Sequence, residues 1–253
     1  CNVTTVEKRI LQRHPEEFAR LVADVATTGK YVTADGTLID MSRVPGALEP
    51  DREARMLDTL FRRGSESDIH LDGRRSWASQ MFETTAVGIK YARGGSIHGE
   101  YIGPGEIVMY QKQVGLPGQE AEQLVKYSVG TDGRLNHKVL EDSPHISTSE
   151  LADINNQIIG RHEENFVLSG HYFPDSHGNN RFWREQDYSA GALKVARSTE
   201  ELKDQLLSLQ DSNNMPAIAL VHTGHSLFGG HGPGTGGAHV VNIQSIRQTP
   251  VGT

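Results

Sequence analysis

Two residues in this chain have the chemistry of a nucleophile and its base. Cys1 is the only cysteine, and helical sequence follows it directly. A thiol at a helix N-terminus feels the positive end of the helix dipole, which favours the thiolate. A thiolate is what attack on a carbonyl carbon requires. With no second cysteine, neither an intramolecular disulfide nor a thiolate-rich metal cage can form. The second residue is His239, in Gly236-Gly237-Ala238-His239-Val240-Val241-Asn242-Ile243. It stands where a final strand begins, behind small residues that let a substrate or another backbone come close. An imidazole titrates near neutrality and suits general base work.

The elements that must position this pair are readable from hydrophobic period. A helix is expected over about 4–13. Pro15 opens a second, with Phe18, Leu21, Val22 and Val25 on one face, and Gly29 ends it. Tyr31–Met41 reads as a hairpin around Ala34-Asp35-Gly36. Further helices are expected over about 52–63, 75–92 and 119–127. Another starts at Ser149, with Leu151, Ile154 and Ile158 inward. The last starts at Ser198, where Ser198 and Glu201 form a capping box ahead of Leu202, Leu206 and Leu209. Trp77 and Met81 read as core. Strands are expected over 107–111, 165–172, 217–221 and 238–246, with loops over 94–105 and 175–180 and a connector over 43–50. Helices early and strands late predict an α+β fold, with helices packed against a mostly antiparallel C-terminal sheet. At 253 residues the chain suits a single domain, 1–253, with a helical lobe of about 1–160 and a sheet lobe of about 161–253.

The order of these pieces resembles the papain-like cysteine peptidases, in particular divergent bacterial toxins and effectors. Cys1 opens a long helix, a hairpin follows at Tyr31–Met41, Glu200–Val221 supplies a helix, a proline and an apolar strand, and Gly236–Ile246 supplies the glycine turn and the histidine strand. The resemblance implies a papain-like fold and a thiol hydrolase, most simply a peptidase. It would act on itself or on a protein of a target cell, after secretion or delivery. Cys1 would be the nucleophile, its backbone N–H an oxyanion donor, and His239 the base that later protonates the leaving group. The family also carries a Gln before the Cys and an Asn or Asp after the His. Neither is evident here, so the reading expects a chain processed or trimmed at both ends. Strand alternation puts Asn242 on the opposite side from His239, which argues against Asn242 as the third residue.

Other classes compete with this reading. The same dyad would serve a glutamine deamidase or an acyl transferase, since all three pass through a thioester. An N-terminal-nucleophile hydrolase would use the α-amine of Cys1 as base, but such folds usually begin on a strand. A non-enzymatic interaction module would leave Cys1 and His239 far apart. His222, His225, His231 and His239 are spaced like metal ligands, but the glycines between them preorganise nothing and no acidic residue is near, so no metal is expected. His171 and His177 read as surface residues. Gly229–Gly234 lacks the Gly-Lys-Ser/Thr ending of a phosphate loop. No organic cofactor motif is present. Arg62-Arg63 and Arg74-Arg75 read as solvated faces, and Phe182 and Trp183 as a half-buried strand edge. With 25 Lys and Arg against 32 Asp and Glu, the net charge of −7 argues against nucleic acid or an anionic membrane surface as a partner. No apolar run is long enough to span a bilayer. The expected partner is a protein or peptide substrate.

Overall fold

The computed structural model describes residues 2–44, 47–50, 76–92, 95–97, 99–102, 107–113, 121–142, 146, 148–163, 167–170, 173–174, 180–181, 193–196, 199–222 and 238–247. Helices α1 (Asn2–Arg13), α2 (Pro15–Thr28), α3 (Trp77–Tyr91), α4 (Thr148–Ile159) and α5 (Thr199–Asp211) fall close to their expected places. The expected helix over 52–63 lies outside the described residues. The chain is mixed α and β and divides into two compact units. One comprises Pro15–His145 and Gln157–Gly160, the other Cys1–His14, Ile146–Asn156 and Arg161–Thr253.

In the first unit, α2 packs on α3, where Phe18 and Phe82 stack with ring centroids 5.4 Å apart. Helix α3 is buried almost all round, so its polar groups need internal partners. Ser76 caps it by accepting from the Ser79 N–H, and Thr85 Oγ1 donates to the Met81 carbonyl. Met81 is core as expected. Trp77 is not: it is 45% exposed and donates from Nε1 to the Leu48 carbonyl at 2.9 Å. Its place in the first helical turn, before the buried run begins, leaves the indole at the rim.

The hairpin β1 (Lys30–Val32) and β2 (Leu38–Asp40) forms as the sequence suggests. A second, β3 (Gly95–Ile97) with β4 (Glu100–Ile102), occupies part of the expected 94–105 loop. Three-residue strands offer too few alternating positions to read. The expected helix over 119–127 is instead strand β6 (Ala121–Val129), paired antiparallel with β5 (Ile107–Gln113) and β7 (Leu135–Asp142). A register shift between Leu124 and Val125 leaves two adjacent residues buried, which breaks the two-residue period and imitates a helical one. Lys126 and Lys138 each donate to Glu100 at 2.6 Å, joining β4 to this meander. Those hydrogen bonds hold the Glu100 carboxyl at about 2.

The second unit is built on a sheet of order β11-β8-β12-β13, from β8 (Val167–Gly170), β11 (Leu193–Ala196), β12 (Ala217–His222) and β13 (Ala238–Ile243). Two short strands, β9 (Phe173–Pro174) and β10 (Asn180–Arg181), pair separately. The expectation of a mostly antiparallel C-terminal sheet needs correction, because β8 runs parallel to both neighbours and only β12 with β13 is antiparallel. Parallel strands need a crossover, and α5 supplies it between β11 and β12. Leu206 and Leu209 of α5 bury against Ala217 and Ala219, with Val241 and Ile243 of β13 completing that side.

Gly29 ends α2 with φ +69°, and an added Cβ would stand 2.7 Å from the Ser42 Cβ. Gly29→Ala is expected to cost at least about 1 kcal/mol through strain and clash. Urea unfolding checks it: the midpoint should fall while the slope stays unchanged.

Candidate functional site

Helix α1 runs from Asn2 and presents Val3, Val6 and Ile10 to the interior of its unit. Cys1 itself lies outside the described residues, as do residues 223–237 with His225 and His231. His239 is described. It is the second residue of β13, paired with Val221 and half-buried.

The helix and this strand are neighbours. α1 packs on β13 and β12, and Asn242 Nδ2 donates to the Thr5 carbonyl at 3.0 Å. Farther along α1, Arg9 Nη1 donates to the carbonyls of Asn214, at 2.9 Å, and Pro216. Pro216 precedes β12, whose first residue pairs with Ile243 at the end of β13. Moving from Arg9 to Thr5 along the helix therefore moves from the end of β13 back toward its start. Thr5 thus stands beside the penultimate residue of β13, three residues along the strand from His239. Alternation puts His239 on the side of Val241 and Ile243, which α5 covers, and Asn242 on the side of α1. Asn242 is thus engaged in holding the helix, on the opposite side of the strand from the imidazole.

A cluster that local sequence patterns did not disclose anchors the other end of α1. Arg9 is fully buried and pairs through Nη2 with Glu163 Oε2 at 2.8 Å. The other carboxylate oxygen meets His14 Nε2 at 2.8 Å and Arg13 Nη2 at 3.3 Å. Asn155 Nδ2 reaches Oε2 at 3.4 Å, and the Glu163 N–H donates to Asn156 Oδ1 at 3.0 Å. Arg13 also donates to Asn214 Oδ1 at 3.0 Å and to the Asn213 carbonyl. Asn213 takes the left-handed conformation (φ 56°) just beyond α5. The two guanidiniums thus sit where a helix C-terminus concentrates negative charge. The one local signal was an arginine at position 9, between Val6 and Ile10 on the buried stripe. Its partners lie more than 150 residues away.

Burial alone would raise the Glu163 carboxyl. The hydrogen bond from His14 and the charges of Arg9 and Arg13 outweigh it and hold the group at about 2, below its ordinary 4.5. Burial draws the Arg9 guanidinium down to about 10 against the pull of Glu163. Both partners are ionised at neutral pH.

Among the described residues no three His, Cys, Asp or Glu side chains gather as a metal site, and no helix is long and apolar enough to cross a membrane. Comparisons with family models, with curated proteins and with solved structures return no match.

Because Glu163 ionises at about 2 when folded and near 4.5 otherwise, its stabilisation is complete above pH 4.5 and is lost as pH falls toward 2. Glu163→Gln is expected to cost about 3–5 kcal/mol at pH 7, the usual penalty for leaving a buried charge uncompensated. Urea unfolding from pH 7 to 3 checks both statements: the wild type should lose stability below pH 4.5, and the gap between wild type and variant should narrow.

Proposed function

We propose that this chain is a papain-like cysteine-dependent amide hydrolase, most simply a peptidase, with Cys1 as nucleophile and His239 as base. The observation that carries the reading is the seating of α1. The helix that begins immediately after the only cysteine packs on the strand that bears His239. A thiol at that helix terminus is favoured as thiolate by the dipole, and the His239 imidazole offers a proton acceptor.

In the proposed reaction, His239 takes the Cys1 thiol proton and the thiolate sulfur bonds to the amide carbonyl carbon. Backbone N–H groups at the start of α1 face the developing oxyanion. The imidazolium then gives its proton to the leaving nitrogen as the C–N bond breaks. Water, deprotonated by the imidazole, hydrolyses the thioester and restores the thiol. A glutamine side-chain amide would follow the same path to release ammonia, and an amine in place of water would give acyl transfer.

Rapid iodoacetamide labelling of Cys1 near pH 6 that falls at least tenfold in His239→Ala is the expected result, against about pH 8.5 for an unactivated thiol. Mass spectrometry reads it without ambiguity, since the chain has one cysteine. Labelling only above pH 8 and indifferent to the substitution would reject the hydrolase. His222→Ala is the companion variant, because His222 pairs with Ala238 at the same sheet end. Loss there with none in His239→Ala would move the base to β12.

A further inference from the structure

We propose that the outer edge of β7 is an interaction surface for a second copy of this chain. Two β7 strands pair antiparallel about a twofold axis at His137, which joins two β5-β6-β7 meanders into one continuous sheet. The inference concerns the unit holding residues 15–145 and does not depend on the hydrolase reading.

Strand β5 lies against α3 and β6 is central, so β7 forms the other rim of the meander. Among the described residues no strand pairs with β7 on the side away from β6. Alternation sends Leu135, His137 and Val139 to one face and Asn136 and Lys138 to the other. Even so, Asn136, His137, Lys138 and Val139 are all exposed. Cover therefore ends at β6 on both faces. Val139 is 41% exposed beside Val125 at 2%, and the Lys138 side chain is 59% exposed beside that of Lys126 at 12%. Edge strands are ordinarily guarded by a lysine, a proline or a bulge. No proline lies within β7. The register shift falls at Leu140, since Glu141 pairs with Leu124 and Val139 with Val125, so Leu135–Val139 stays regular. Lys138 is the one lysine of the strand, and its ammonium is bound to Glu100 at 2.6 Å. The guarding charge is thus drawn back across the meander.

The occupant is a second copy because the regular stretch Leu135-Asn136-His137-Lys138-Val139 complements itself when reversed. A twofold axis at His137 sets Leu135 opposite the partner's Val139, and Val139 opposite the partner's Leu135. These are apolar pairs at cross-strand contact distance. His137 meets its own copy between them, on the face where it already contacts the Tyr127 ring with centroids 6.3 Å apart. On the other face Asn136 lies opposite Lys138, so no like charges meet. Just beyond, the exposed Arg134 falls beside the partner's Glu141, and symmetry repeats this at the far end. Other registers fail. An axis at Lys138 opposes two ammonium groups, an axis at Asn136 sets Arg134 against Lys138, and an axis at Val139 runs into the bulge. A strand pair this short buries less than a standard interface, so the dimer forms only as concentration rises through the micromolar range.

Sedimentation velocity of the full chain from about 1 to 200 μM tests the association. The weight-average mass is expected to climb from one chain toward two. Val139→Lys sets an ammonium opposite the partner's Leu135 and restores a guard to the edge. It is expected to weaken association by roughly tenfold or more, with circular dichroism unchanged. Cross-linking reads the register in a Cys1→Ser background, where the introduced thiol is the only one. His137→Cys brings two thiols together at the axis, with Cβ atoms about 5 Å apart, and should give a covalent dimer on mild oxidation. Val139→Cys is the control, because its two copies stand four residues apart, about 13 Å along the strand. The proposal is overturned if the wild type stays monomeric throughout, or if folded Val139→Lys associates as the wild type does. It is also overturned if His137→Cys cross-links no faster than Val139→Cys. Should Val139→Lys fail to fold, the two cysteine variants decide.

Discussion

A single buried carboxylate organises the second unit. Glu163 draws together Arg9 and His14 from the first stretch of the chain, Asn155 from α4 and, through Arg9 and Arg13, the turn over 213–216 that feeds β12. Each of these groups would be costly to bury alone. Together they form a network in which the loss of one member leaves the others unpaired. Arg9 and Arg13 thereby tie α1 to the Glu163 carboxylate and to backbone carbonyls of the 213–216 turn.

The sheet turns that placement into a candidate site. Strand β12 takes α5 on one side through Ala217 and Ala219, whose small side chains let Leu206 and Leu209 come close. Its other side, with Ile218 fully buried, belongs to the α1 half of the core. Strand β13 continues both sides. One row, Val241 and Ile243, completes the α5 core, and Asn242 in the other row reaches α1. His239 stands at the start of this strand, where packing demands are least and an imidazole is only half covered.

How much of this could be read in advance depended on the range of the interaction. Helices α1, α2, α4 and α5 carry their inward residues at helical spacing, and Leu151, Ile154, Ile158, Leu206 and Leu209 are buried as that spacing requires. Strand β6 misled because the shift at Leu124 and Val125 spoils its alternation. The direction of β8 relative to β12 has no local signature, since pairing sense is decided by the crossover. Cys1 and His239 stood out by residue type and by what borders them. The seat of α1 on β13 did not, because the Thr5 to Asn242 contact joins residues 237 positions apart. Arg9 is fully buried, and nothing in its local sequence names the Glu163 carboxylate that pairs with it.

The long reach of α1 also bears on the order of assembly. Its ties at Asn214 and Pro216 lie 205 and 207 residues downstream. During synthesis the helix must wait, without its seat, until the turn over 213–216 has emerged. Closing so large a loop is slow because its entropy is lost before any contact is gained. The unit holding residues 15–145 can meanwhile gather its own core. Helix α1 is therefore seated on β12 and β13 only after the turn over 213–216 has formed, late in the folding of its unit.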